Sequence, residues 1–129
     1  MSYMFNQAVV FNQPLNSWNV GNVTSMDRMF AYSAFNQNIG NWNVSNVTNM
    51  HGVFYQNSVF NQPLNNWNVG NVTNMSETFF GASSFNQPLN NWNVSKVTNM
   101  FRLFADAKVF NQPLNTWNVT SVTNMNAMF

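Results

Sequence analysis

Any chemistry in this chain has to come from very few groups. Eight of its 129 residues are acidic, basic or histidine: Asp27, Arg28, His51, Glu77, Lys96, Arg102, Asp106 and Lys108. The three carboxylates are scattered, with neither the close pairing used in acid–base catalysis nor the oxygen-rich loop that calcium needs. His51 is the single histidine, no nucleophile is paired with it in sequence, and it reads as a histidine on the surface of a helical turn. With no cysteine, thiolate metal sites and disulfides are excluded. Met26, Met50, Met75, Met100 and Met125 recur singly, which gives core filling and not a convergent ligand set. Lys96, Arg102 and Lys108 form a weak basic group, but a net charge of +1 gives nucleic acid little to hold. The expectation is a protein that is not an enzyme, with no cofactor and no metal.

Neutral amides take the place of charge. The chain holds 28 Asn against a charged fraction of 5%. One column, Asn19, Asn43, Asn68, Asn93 and Asn118, falls between an inward Trp and an inward Val, so its side chains point outward. It is expected to be a hydrogen-bonded ladder that fixes register, with a polar binding strip as the other reading. A second column, Asn12, Asn36, Asn61, Asn86 and Asn111, lies beside a bend and is expected to cap it. The N-x-S/T triplets that occur along the chain are by-products of this repeating grammar.

The elements that position these columns come from a repeat. Trp stands at 18, 42, 67, 92 and 117, in steps of 24, 25, 25 and 25. Phe30, Phe54, Phe79, Phe104 and Phe129 keep the same steps, and the short step falls where AYSA replaces connectors such as YQNSV. Residues 1–129 read as one solenoid of about five repeats, with a partial opening repeat at 1–10. Leu15, Trp18 and Val20 suit a short strand, and Val23, Met26, Met29 and Phe30 suit one face of a short helix. Proline at 14, 63, 88 and 113 fixes the corner before the strand, whereas the second repeat has Asn38 and Ile39 at the Pro-Leu positions.

LNNWNV matches the front of the leucine-rich pattern L-x-x-L-x-L, and FNQPLNNWNVSKVTNMFRLF resembles the BspA-like leucine-rich repeats of bacterial surface proteins and mycoplasma lipoproteins. The resemblance runs through essentially the whole chain. It departs at position 9 of the broader pattern, where Val23, Val47, Val72, Val97 and Val122 replace the usual Asn. The fold it implies is an α/β repeat solenoid, a leucine-rich-repeat-like right-handed stack with a short parallel sheet and short helical turns.

It also implies a surface-exposed module for protein binding or adhesion, outside the cell or on its surface, although no signal peptide or anchor is visible. The alternative is a self-associating structural subunit. Met1, Met4 and Phe5 at one end and Met125, Met128 and Phe129 at the other would continue the core columns into end-to-end filaments. An ice-binding solenoid is the least favoured reading. Expected partners are a protein or a second copy, with a surface glycan as a further candidate. Nucleic acid and direct membrane insertion are not expected.

Overall fold

The computed structural model describes residues 1–129. Five coils stack so that residues 24 or 25 apart lie over one another, and backbone hydrogen bonds run from coil to coil. No residue lies in a helix or a multi-residue strand. The only β-type pairing is a file of single-residue parallel bridges, Ser25 to Asn49, Asn49 to Asn74, Asn74 to Asn99 and Asn99 to Asn124.

The segment expected to be helical is a run of overlapping β-turns. Met29 N–H donates to the Met26 carbonyl at 3.1 Å and Ala31 N–H to the Arg28 carbonyl at 3.3 Å, each closing a four-residue turn. The intervening amides leave the coil. Met26, Arg28, Phe30 and Tyr32 donate to the carbonyls of Asn49, His51, Val53 and Tyr55 at 2.8–3.0 Å. An α-helix would turn every N–H back on its own segment; here every second one serves the next coil instead. The price is left-handed backbone at non-glycine residues. Positive φ recurs at Arg28, Glu77, Arg102 and Ala127, where the second coil carries Gly52, and again at Tyr32, Gln56 and Asp106, where the third carries Gly81.

The segment expected to be a strand also turns. Trp42 N–H closes a turn on the Ile39 carbonyl at 3.0 Å and Val47 N–H another on the Val44 carbonyl at 2.9 Å. Side chains bridge the coils in that stretch. The indole N–H groups of Trp42, Trp67, Trp92 and Trp117 donate to the carbonyls of Leu15, Ile39, Leu64 and Leu89 at 2.9–3.0 Å. At the next corner Asn36, Asn61, Asn86 and Asn111 donate their backbone N–H to the side-chain oxygen of the same Asn one coil earlier, at 2.8–3.0 Å. This column is the coil-to-coil amide ladder.

The core is a double file of phenylalanines beside the tryptophans. Phe54 stacks on Phe60 in its own coil at 3.9 Å between ring centroids, and on Phe30 and Phe79 in the adjoining coils at 5.8 and 5.6 Å. Met26, Met50, Met75 and Met100 are fully buried beside them.

The expected α/β class, leucine-rich-repeat-like right-handed stack, parallel sheet and helical turns are therefore corrected. The apolar spacing placed the inward residues, but the backbone between them is built from turns. A leucine-rich-repeat solenoid needs a strand ladder that is absent here.

Candidate ligand-binding face

The outward asparagines do not bond to one another. Each turns its side-chain oxygen onto the N–H two residues ahead: Asn19 accepts from Gly21, Asn43 from Ser45, Asn68 from Gly70, Asn93 from Ser95 and Asn118 from Thr120, at 3.0–3.2 Å. These are Asx-turns, favoured because the short Asn side chain reaches its own backbone. The turn pins the amide by its oxygen. Its NH2 group makes no hydrogen bond to the protein, and all five residues are exposed. The result is a file of oriented, unspent donors at the coil spacing.

Beside this file lies a groove of about 570 Å³ spanning the first three coils. Pro14 and Pro63 wall it, the amides of Asn16, Gln37, Asn38, Asn41, Asn65 and Asn66 line it, and Gly40 completes it, so it contains no charged group. Gly40 is required there: a Cβ would lie 2.7 Å from the Pro63 carbonyl oxygen.

Three of the charged residues, Arg28, His51 and Glu77, meet on the turn wall, which their scattered positions in sequence conceal. Arg28 forms an ion pair with Glu77 at 3.1 Å, with His51 between them 3.8 Å from the same carboxylate oxygen. His51 Nδ1 lies 2.9 Å from Ser76 Oγ and 3.1 Å from the Ser76 carbonyl oxygen. A proton on Nδ1 satisfies that carbonyl, while Nε2 accepts from Arg28 Nε–H at 3.4 Å. Ser76 Oγ donates to Asn74 Oδ1 at 2.8 Å. In this tautomer the histidine has no free base facing the serine, so the pair fastens coils together and does not create a nucleophile. Arg28 also lies over the Tyr55 ring at 4.5 Å. Burial, and then the neighbouring Tyr32 hydroxyl, raise the Tyr55 phenol above its ordinary pKa. Aligning the sequence by its period brings positions 28, 51 and 77 into adjoining coils, a signal that reading the charges along the chain misses.

The remaining residues singled out by sequence extend the core columns. Met1, Phe5 and Met128 pack partly buried against the core, whereas Met4, Met125 and Phe129 are exposed. Phe5 stacks on Phe30 at 5.4 Å and Phe129 on Phe104 at 5.7 Å. No helix is long and apolar enough to cross a membrane.

A charge-poor stack of turn-built coils, tied by side-chain amides and presenting others to solvent, is the class these features define. Within it, the chain matches the family described as "Mycoplasma protein of unknown function, DUF285" over residues 1–46 and 31–129, and belongs to that family. No curated protein matches the chain. No solved structure matches it.

The family match replaces the BspA-like leucine-rich-repeat identification. The adhesion module drawn from that identification is corrected with it, and so are the filament and ice-binding readings, which rested on the repeat itself. A protein-binding or adhesion module was expected to use the exposed face of a parallel sheet, filaments were expected to extend the sheet edge, and ice binding was expected to use its flatness. The turn-built wall has no such sheet.

Proposed function

We propose that this protein is a non-catalytic receptor for a neutral, hydroxyl-rich polymer, a glycan laid across the coils along Asn19, Asn43, Asn68, Asn93 and Asn118. The file of amides held by their oxygens, with NH2 groups unspent, carries this reading. Sugar hydroxyls accept from such donors, and donors already oriented lose little freedom on binding. Beside this file the ring centroids of Trp67, Trp92 and Trp117 follow one another at 6.5 Å, so the donors recur at a regular step along the stack, as the units of a polymer do. The five asparagines carry no charge and the nearest cation along the chain, Lys96, is held 2.7 Å from Asn71 Oδ1, so the file suits a neutral polymer better than an acidic one. Such polymers occur at cell exteriors, and the reading places the protein outside the cell or on its surface.

Co-sedimentation with insoluble neutral polysaccharides of glucose, mannose and N-acetylglucosamine, with acidic polysaccharides alongside, tests the proposal. Retention by at least one neutral polymer, undiminished by salt, is expected. Replacing Asn68 and Asn93 with Ser keeps an oxygen near the turn but withdraws two outward NH2 groups, leaving a shorter hydroxyl in place of each, and is expected to weaken retention. Retention only by acidic polymers, or unaltered retention of the double variant, would refute it.

A further inference from the structure

The repeat departs from its own grammar at one corner. Four coils read Pro-Leu-Asn there, and the second reads Asn38-Ile39-Gly40. An Asx-turn does the work of the missing proline: Asn38 Oδ1 accepts from Gly40 N–H at 2.9 Å. Gly40 lets the third coil approach closely, since a side chain would meet the Pro63 carbonyl.

The hydrogen bonding departs at the same place. In three coils the corner glutamine clamps the Asn of the preceding coil: Gln62 donates to Asn36 Oδ1, Gln87 to Asn61 Oδ1 and Gln112 to Asn86 Oδ1, each at 3.1 Å. Gln37, their counterpart in the second coil, makes no side-chain hydrogen bond although it is half-buried. The NH2 of Asn38 is unspent, and Asn41 uses its NH2 on the Asn16 carbonyl at 2.9 Å, leaving its side-chain oxygen free. All three amides line the groove, whose volume of about 570 Å³ falls within the roughly 300–1,000 Å³ typical of small-molecule sites. The break in sequence, the released glutamine and the cavity coincide.

We infer that this groove binds a disaccharide-sized neutral unit, the end or a branch of the glycan proposed above, on which the assignment rests. Gln37 and Asn38 donate to ring hydroxyls, the Asn41 oxygen accepts from one, and the Pro14 and Pro63 rings cover the apolar C–H faces. Amides that both donate and accept match hydroxyls that do the same, and a site without charge does not select a phosphate or carboxylate.

The test is a titration of the full-length chain, with side-chain amides followed by NMR, using neutral disaccharides of glucose, mannose, galactose and N-acetylglucosamine. Saturable shifts at Gln37, Asn38 and Asn41 with at least one of them are expected. Gln37→Ala removes a side chain that bonds to nothing in the fold, and is expected to weaken binding by about tenfold, near 1.4 kcal/mol. Asn38→Pro restores the residue of the other corners and is expected to abolish binding while long polymers still shift the Asn68 and Asn93 amides. No shift in the groove with any disaccharide at saturating concentration overturns the inference, as does binding unchanged in both variants. Shifts confined to the outward asparagines overturn the groove and leave the proposed function standing. Groove shifts without any at Asn68 or Asn93, even with long polymers, support the groove and sink the wider reading.

Discussion

The same substitution, Trp to Phe, should have very different consequences at two positions of the repeat. Trp67 is 2% exposed and its indole N–H donates to the Ile39 carbonyl at 3.0 Å. Trp67→Phe removes this bond while the Ile39 carbonyl keeps the Trp42 N–H at 3.0 Å, a loss of about 0.5–1.5 kcal/mol. The missing ring portion leaves a void worth about 1 kcal/mol more, for a total of roughly 1.5–2.5 kcal/mol. Trp18 is 41% exposed, and its indole has no carbonyl beneath it. Trp18→Phe retains most of the contact with Phe5, 5.7 Å away between ring centroids, and should cost less than about 1 kcal/mol. Urea unfolding followed by near-ultraviolet circular dichroism measures both, with amide hydrogen exchange to detect any coil that opens separately. Equal destabilisation by the two variants, or the greater loss at Trp18, would refute the claim that the indole-to-carbonyl bond ties coils together.

Backbone strain gives a second contrast. Asp106→Gly relieves a left-handed residue at the position where the third coil already has Gly81, and should raise stability by about 0.5–1 kcal/mol. Gly81→Ala should lower it by a similar or larger amount, since its φ is +66° and a Cβ would meet the Gln56 side chain at 2.6 Å; thermal midpoints of the two variants check both signs. Gly40→Ala forces a shift in the third coil, because the obstructing atom is the backbone oxygen of Pro63, and should cost about 1–3 kcal/mol in urea unfolding. The Tyr55 phenol, with its pKa raised in the fold, contributes stability present below its unfolded value and lost as pH rises through the folded one. Alkaline titration of phenolate absorbance should therefore show Tyr55 ionising at lower pH in Tyr32→Phe, and an unchanged titration would rule out the hydroxyl's influence.

Much of the stacking was legible in the sequence, because core files repeat faithfully. Trp67, Val69, Val72, Met75 and Phe79 occupy the interior that their periodic positions predict. Backbone conformation was not legible. Spacings of three, three and one satisfy a helical face, and they equally satisfy turns that step two residues at a time. The deciding partner is an acceptor one coil away, such as the Val53 carbonyl for Phe30 N–H, and no window of neighbouring residues contains it. At the candidate site, period and polarity put the asparagines outside. Whether they bond across coils or to their own backbone was not encoded in spacing, since Asn serves both purposes at different columns. The groove left a visible trace as the single corner without its Pro-Leu pair, whose meaning depended on finding Gln37 unclamped.

The upright peptide groups of the turn wall have an electrical consequence. The carbonyls of Asn49, His51, Val53 and Tyr55 face the preceding coil, while the next amides along the chain, those of Met50, Gly52, Phe54 and Gln56, face the following one. Four peptide dipoles per coil, each of about 3.5 D, therefore point the same way. One is offset by the Thr column, where Thr48 N–H donates backward to the Thr24 carbonyl. The remainder accumulate as coils are added, whereas an ordinary sheet largely cancels its own. A chain with a formal net charge of +1 thus carries a field along its axis, positive toward the later coils, arising from backbone orientation and not from ionised side chains.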